Sequence, residues 1–307
     1  MTMKRYRIFW AFMVAITMAT FAKAQDIEQL WATGSAVPDG VCELVKRPDG
    51  QFRFAGALNP GELKIMTTEY FIKGTTQFLR PQLVDSYLIN NGIGYALTTD
   101  ENQSGWVVSF QEDTYRFLVD TQSRKVTGEL MLPWNELLIA GSAFPGGSDR
   151  TEWKRDNMLS FERDHDNPYI FTWTGELGIY DDVVEPGRFK LEGQMTWGPR
   201  ELHPFVQDEN ILEASQVCTG GPDNKWHVPV DGVYKITVDL FNETISAELL
   251  YSSSNLDATG IQSNKIAGDD VYVEIYDMNG IRLQHLRKGL NIVKTGDGTV
   301  QKIWRHW

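Results

Sequence analysis

The chain repeats itself, and that fact constrains its fold more than any other. Leu30–Gly40 matches Leu137–Gly147 through Leu-x-x-x-Gly-Ser-Ala-x-Pro-x-Gly. Phe52–Leu58 matches Phe171–Leu177, with Phe54 against Trp173 and Gly56 against Gly175. Pro60–Ile65 matches Pro186–Leu191 through Pro-Gly-x-x-Lys. A block opened by Trp106 matches one opened by Trp226, continuing as Tyr115–Asp120 against Tyr234–Asp239. Both blocks close on Glu-Leu, at Glu129–Leu130 and Glu248–Leu249. Blocks that recur in one order describe a structural unit built twice.

Each block reads as strand. Phe171-Thr172-Trp173-Thr174 alternates apolar and polar with period two, as a half-buried strand must. Val233 to Leu240 alternates again, Asn242-Glu243 turns, and Thr244–Leu249 returns as a hairpin partner. Pro and Gly punctuate the runs, and no segment behind the N-terminal apolar run keeps a helical period. Short strands with regular turn signals predict an all-β chain of two tandem antiparallel β-sandwich modules of the Ig-like type. They are expected at 26–131 and 132–251. A polar Ser/Asn-rich joint at 252–262 reads as a linker. Residues 263–307 change character and are expected to form a small C-terminal β-module. Its strands run over Val271–Tyr276, Ile281–Leu286, Leu290–Lys294 and Val300–Ile303.

The N-terminus reads as a signal peptide over 1–24. Lys4, Arg5 and Arg7 precede an apolar run from Ile8 to Phe21, and Ala22-Lys23-Ala24 offers a small-x-small cleavage site. The alternative is a membrane anchor, but the run is about 14 residues where a helix needs about 20 to span. No second run of spanning length occurs, so no transmembrane segment is expected. The mature chain of about 280 residues suffices for two ordinary domains. The whole chain carries a net charge of −12, and loss of the four signal cations leaves −16. A chain this acidic is a poor partner for nucleic acid or anionic lipid, and no nucleic acid is expected to bind. An exported chain permits a disulfide between Cys42 and Cys218, although two separately buried thiols is the plainer reading. Their spacing is no metal signature, and nothing in the sequence asks for a cofactor.

Gly-Ser-Ala-x-Pro-x-Gly, Phe-x-Trp-x-Gly-x-Leu, Pro-Gly-x-Phe-Lys, Trp197-Gly198-Pro199 and Gly232–Leu240 stand in the order that resembles the SusE/SusF-type starch-binding outer-membrane proteins. The resemblance covers about 30–250. It is weaker in the first repeat, where Leu63-Lys64 replaces Phe-Lys and Trp-Gly-Pro is missing. It implies tandem sandwiches that bind a starch-like α-glucan at the bacterial surface without cleaving it. Its implied partners are polysaccharides or oligosaccharides and other outer-membrane glycan-uptake proteins. One departure is plain: family members usually carry lipid on an N-terminal Cys, and the cleavage site here has none. The tail resembles the C-terminal sorting domains of type IX secretion at Ile275–Gly280, Lys288–Lys294 and Lys302-Ile303. That implies export through the outer membrane; a small extra β-domain with no sorting role is the alternative.

A sugar ring has an apolar C–H face and a rim of hydroxyls, so its site needs an aromatic platform and fixed polar side chains. Ten tryptophans are available. Trp197 sits in a loop context where a buried Trp is less expected, and is a platform or else core. Trp153 is surrounded by charge and is a second candidate. Trp226 has a counterpart in Trp106, which a shared core and a shared site both explain, with core the better explanation. Lys190 follows Phe189 in a strand and so points to the opposite face; if Phe189 is core, Lys190 is exposed. Lys190 and Arg200 are then candidate donors to hydroxyls. In the first repeat, Lys64 takes the Lys190 position, with Tyr70 and Tyr87 as possible platforms. Asp164-His165-Asp166 is the most suggestive catalytic cluster, but it precedes the turn Asn167-Pro168 and reads as a solvated loop. No nucleophile elbow, phosphate loop or zinc spacing occurs, so no enzyme is expected and a glycoside hydrolase is the least favoured reading. A structural or adhesive protein that binds another protein stays open, since Trp and Tyr also dominate protein interfaces.

Overall fold

In a computed structural model, residues 27–145, 153–180, 183–252, 274–277, 282–283, 289–294 and 300–305 are described. Strands dominate, and the one helical element among these residues is a single 3-10 turn, Arg155–Asn157. The chain is all-β with antiparallel sheets; one short pair, Glu209–Asn210 with Trp226–His227, runs parallel. The chain divides into two compact units at Glu129/Leu130, the second also taking in Arg47–Asp49 and Asp113–Arg116. The signal peptide expected at 1–24 and most of the expected linker lie outside the described residues.

Both units use the same strand order. In the first, Val41–Glu43, Trp31–Thr33, Gly61–Met66 and Phe78–Pro81 lie side by side; in the second, Leu159–Ser160, Leu138–Gly141, Arg188–Glu192 and Glu201–His203 do the same. The other sheet repeats likewise. Val45–Lys46, Phe52–Leu58, Glu112–Asp120 and Lys125–Leu130 correspond to Glu162–Arg163, Ile170–Leu177, Gly232–Asp239 and Thr244–Ser252. Even the register agrees: Leu63 faces Trp106 as Phe189 faces Trp226. The units differ in how their two sheets meet. Asn90–Thr98 joins Phe78–Pro81 to Lys125–Leu130 as a full strand; in the second unit Cys218–Thr219 pairs with Glu201–His203, a bridge of Gln216 with Thr244 makes the corresponding link, and Glu209–Asn210 adds a strand beside Trp226–His227.

The repeated motifs have local physical causes. In Gly-Ser-Ala, a Cβ on Gly34 would collide with the Glu62 carbonyl, and one on Gly141 with the Arg188 carbonyl. The next residue binds the same strand: the Glu62 N–H donates to Ser35 Oγ (2.9 Å) and the Arg188 N–H to Ser142 Oγ (3.4 Å). The Ala36 and Ala143 amides then donate to the carbonyls of Glu62 and Arg188, at 3.1 and 3.2 Å. The motif is thus a backbone clamp on the strand that carries Lys64 or Lys190. In Phe-x-Trp-x-Gly, the aromatic ring folds over the glycine two residues on, Phe54 over Gly56 and Trp173 over Gly175. That covers backbone a glycine would leave bare.

The second unit's core lies between its two sheets. Ile139, Phe189, Leu191 and Leu202 from one meet Phe171, Trp173, Ile236, Val238 and Ile245 from the other. Tyr234 is fully buried and its hydroxyl donates to the Val230 carbonyl at 2.6 Å; burial pushes its pKa up to about 12. Cys42 and Cys218 are both free thiols, Cys218 buried and Cys42 half-buried.

The described tail strands, Glu274–Tyr276, Arg282–Leu283, Gly289–Lys294 and Val300–Arg305, form a four-stranded sheet of their own. Its core is not its own: Ile275, Leu283 and Val293 pack with Val233 and Leu250 of the second unit. Truncation after Ser252 should therefore uncover Val233 and Leu250. Burial of two such side chains stabilises by about 2–4 kcal/mol, so calorimetry of the truncated chain should show Tm lower by roughly 5–15 °C. An unchanged transition would mean that the tail folds apart.

Candidate functional site

The strand Arg188–Glu192 organises the site. Phe189 and Leu191 turn into the core, which sends Lys190 and Glu192 to the opposite face. That face is not open. Lys190 is 7% exposed and Glu192 0%. The expectation of an exposed Lys190 is corrected here: the alternation holds, but the following loop returns over the strand and Trp197 covers the ammonium, Nζ lying 4.7 Å from the ring centroid. This is a cation–π contact.

Beneath Trp197 the charges are tightly interlocked. Glu192 stands directly across the ladder from Glu201, a placement that is destabilising for like charges. Lys190 resolves it. Its Nζ reaches Glu192 at 3.1 Å, Glu201 at 3.2 Å and Asp223 at 3.3 Å. The contacts to Glu201 and Asp223 are hydrogen bonds and that to Glu192 is an ion pair; with Trp197 over it and little surface exposed, the ammonium is held by these partners and shielded from a ligand hydroxyl. The donor role expected for it therefore falls, and its place is under the platform. His203, fully buried on the next strand, bridges Glu201 Oε2 (3.2 Å) and the Asn224 carbonyl (3.0 Å).

The titrations follow from this packing. Burial acts to lower Lys190, but Glu192, Asp223 and Glu201 outweigh it and its pKa is raised. Burial likewise acts to raise Glu201 and Asp223, yet Lys190 with His203, and Lys190 with Lys225, hold both below the usual carboxylate range. At Glu192 burial wins over Lys190 and pushes the carboxyl up to about 7. The unfolded chain releases this proton near 4.5, so between those values the folded state binds more protons. Through this group, stability is lost as pH rises from about 4.5 to about 7. Glu192→Gln should therefore gain on the wild type in Tm across that window. A difference in Tm that stays constant with pH would mean that Glu192 titrates normally in the fold.

Above this layer lies an open cleft of about 570 Å³, lined by Trp153, Glu185, Lys190, Trp197, Glu201, Asp223 and Lys225. Trp197, 40% exposed, comes from the loop after Arg188–Glu192. Trp153 comes from the segment before the 3-10 turn and is half-buried, with φ +59°. The Lys225 Nζ lies 5.3 Å from its ring centroid and pairs with Asp223 at 3.2 Å. Each indole thus has a lysine against it, each lysine bound to Asp223.

The cleft brings together Trp153, Lys190 and Trp197 of the expected residues. Arg200 is exposed and is not among the lining residues. Trp226 is a correction: it is 0% exposed and stacks on Phe189 with centroids 5.7 Å apart. Its recurrence as Trp106, also 0% exposed, reflects a shared core. In the first unit Lys64 Nζ donates to the Glu101 carbonyl at 2.9 Å, and Tyr70 and Tyr87 are exposed. Asp164-His165-Asp166 lies in a solvated turn, with His165 and Asp166 side chains 98% and 97% exposed. Among the described residues no group of acidic, His and Cys side chains is placed to hold a metal, and no helix is long and apolar enough to cross a membrane.

No protein-family profile matches the chain, and no similar curated protein is found. Among solved structures, SusF from Bacteroides thetaiotaomicron aligns with 90% of this chain and 72% of its own, at 12% identity and a TM-score of 0.32. A likeness at that level leaves the function to be argued from the site.

Proposed function

We propose that the chain is a non-catalytic glycan-binding protein whose second unit holds a saccharide in the Trp153–Trp197 cleft. One observation carries the reading: two indoles from separate loops line one open cleft, the larger exposure belonging to Trp197. Apolar ring faces set among polar side chains suit the C–H faces and hydroxyls of a sugar. Glu201 and Asp223 supply acceptors at the rim. Hydrolysis is disfavoured by the same layout. A glycosidase needs two carboxyls flanking the scissile bond, and the one with an acid-like pKa, Glu192, is sealed below the cleft. An α-glucan as ligand, and a cell-surface setting reached by signal peptide and sorting tail, rest on the sequence resemblance.

A single stacking platform with a few hydrogen bonds supports millimolar-to-micromolar affinity, on the order of 4–8 kcal/mol. Affinity electrophoresis of the mature chain through a panel of soluble polysaccharides tests the reading. Retardation in at least one gel, relieved by the matching free oligosaccharide, is expected; uniform mobility in all of them would overturn it. Protein binding is the second reading. It is favoured by the first unit, where Tyr70, Leu83, Val84 and Tyr87 are 59–76% exposed; a partner there would leave the glycan gels unaffected.

A further inference from the structure

We propose that the cleft sorts saccharides by charge, taking amino-bearing chains over neutral ones and neutral ones over uronate or sulfated ones. This rests on the reading of the cleft as a glycan site and goes beyond it, because stacking alone is blind to charge.

Glu185, Glu201 and Asp223 line the cleft as carboxylates against two ammonium groups, Lys190 and Lys225. Neither cation is available to an anion. Lys190 is buried among Glu192, Glu201 and Asp223 and capped by Trp197. Lys225 is held by Asp223 and lies against Trp153. The carboxylates, by contrast, outnumber the cations before Glu192 is counted, and Glu185 has no ion pair among the described residues. The indole faces add to the bias, since an aromatic π-face is itself attractive to cations. Both rings already accept an ammonium from within the chain, which shows in miniature the chemistry a ligand amine would find. A carboxylate or sulfate on a sugar would meet acidic groups on the rim, and among the described lining residues both cations are already paired.

The ordering also fixes the salt response. Binding of a neutral chain should ignore ionic strength, binding of an amino-bearing chain should weaken as salt rises, and an anionic chain should bind better in high salt. One unit charge near 5 Å in a wet cleft shifts affinity by about three- to tenfold.

The test uses one backbone in three charge states: soluble starch, its diethylaminoethyl derivative and its carboxymethyl derivative, each in affinity gels at about 20 and 300 mM salt. Because the whole chain is acidic, local and global charge must be separated. Glu185→Gln with Asp223→Asn changes the charge of the cleft by two. Asp166→Asn with Glu248→Gln changes the net charge equally at exposed positions that do not line it. The cleft pair should narrow the amino-to-carboxymethyl affinity ratio by about tenfold, and the outside pair should leave most of it. Glu185→Gln alone, on a loop, should narrow it about threefold and guards against misfolding of the double variant. Equal narrowing by both pairs, or equal retention of all three starches by the wild type, would overturn charge sorting while leaving the glycan site standing. Retention of none of them, together with no retention in the wider panel, would overturn the site and the sorting together.

Discussion

Trp197→Ala should abolish most retardation of the protein in a polysaccharide gel while Tm falls by only a few degrees. The indole stands on a loop, 40% exposed. Its visible debt to the fold is the cation–π contact with Lys190, worth about 0.5–1 kcal/mol at an exposed site. That corresponds to roughly 2–4 °C in a unit of this size. The binding side is larger. Removing the ring removes both the buried sugar face and the stacking preference, of the order of 1–2 kcal/mol or more. At the weak affinities of a single site, a tenfold loss or more leaves little retardation. A variant that unfolds would make Trp197 a packing residue. A folded variant that binds as before would move the platform to Trp153.

Trp226→Ala should do the reverse and unfold the second unit at a much lower temperature. Trp226 is fully buried and packs on Phe189, in a core with Tyr234 and Ile211. Large-to-small changes of this kind cost about 3–5 kcal/mol, or roughly 10 °C or more in Tm. Trp106→Ala should damage the first unit in the same way, because Leu63 faces it in the same register. A Trp226→Ala protein with unchanged Tm would contradict the burial of that ring.

Much of this was legible in the sequence, and the reasons differ from residue to residue. The strands were readable because period-two alternation and turn residues are local signals. Trp197 and Trp153 were readable as surface candidates because their neighbours, Thr196 and Gly198-Pro199 in one case and a run of charges in the other, do not suit a core. Lys190 shows the limit. Alternation says which face a side chain takes, but not whether a later loop will cover that face. Trp226 shows another: recurrence between repeats marks shared environment, and a core is an environment. Glu185, Glu201, Asp223 and Lys225 carry no such local signal, because the cleft joins loops far apart in the chain. A faint signal existed at Asp223-Asn224-Lys225, charged residues flanking a strand that begins with a buried Trp.

The strand Asn90–Thr98 has a shorter counterpart in the second unit, the segment from Ser215 to Thr219, and the pair govern how the sheets of each half can move. In the first unit Asn90–Thr98 ties sheet to sheet by hydrogen bonds, along a ladder from which Trp106–Val108 branches at Gly61–Met66. The sheets cannot slide past each other or part without breaking directional bonds. In the second unit a shorter tie does the same: the Val217 N–H donates to the Glu243 carbonyl (3.0 Å) and the Ile245 N–H to the Ser215 carbonyl (3.2 Å), beside the pairing of Cys218–Thr219 with Glu201–His203. The half that carries the cleft is thus cross-linked over a shorter span, and each lining residue of the cleft lies on one of its sheets or in a loop leading into it. A sugar chain would therefore meet a seat whose shape is set by the loops of one sheet and not by the packing of one sheet on the other.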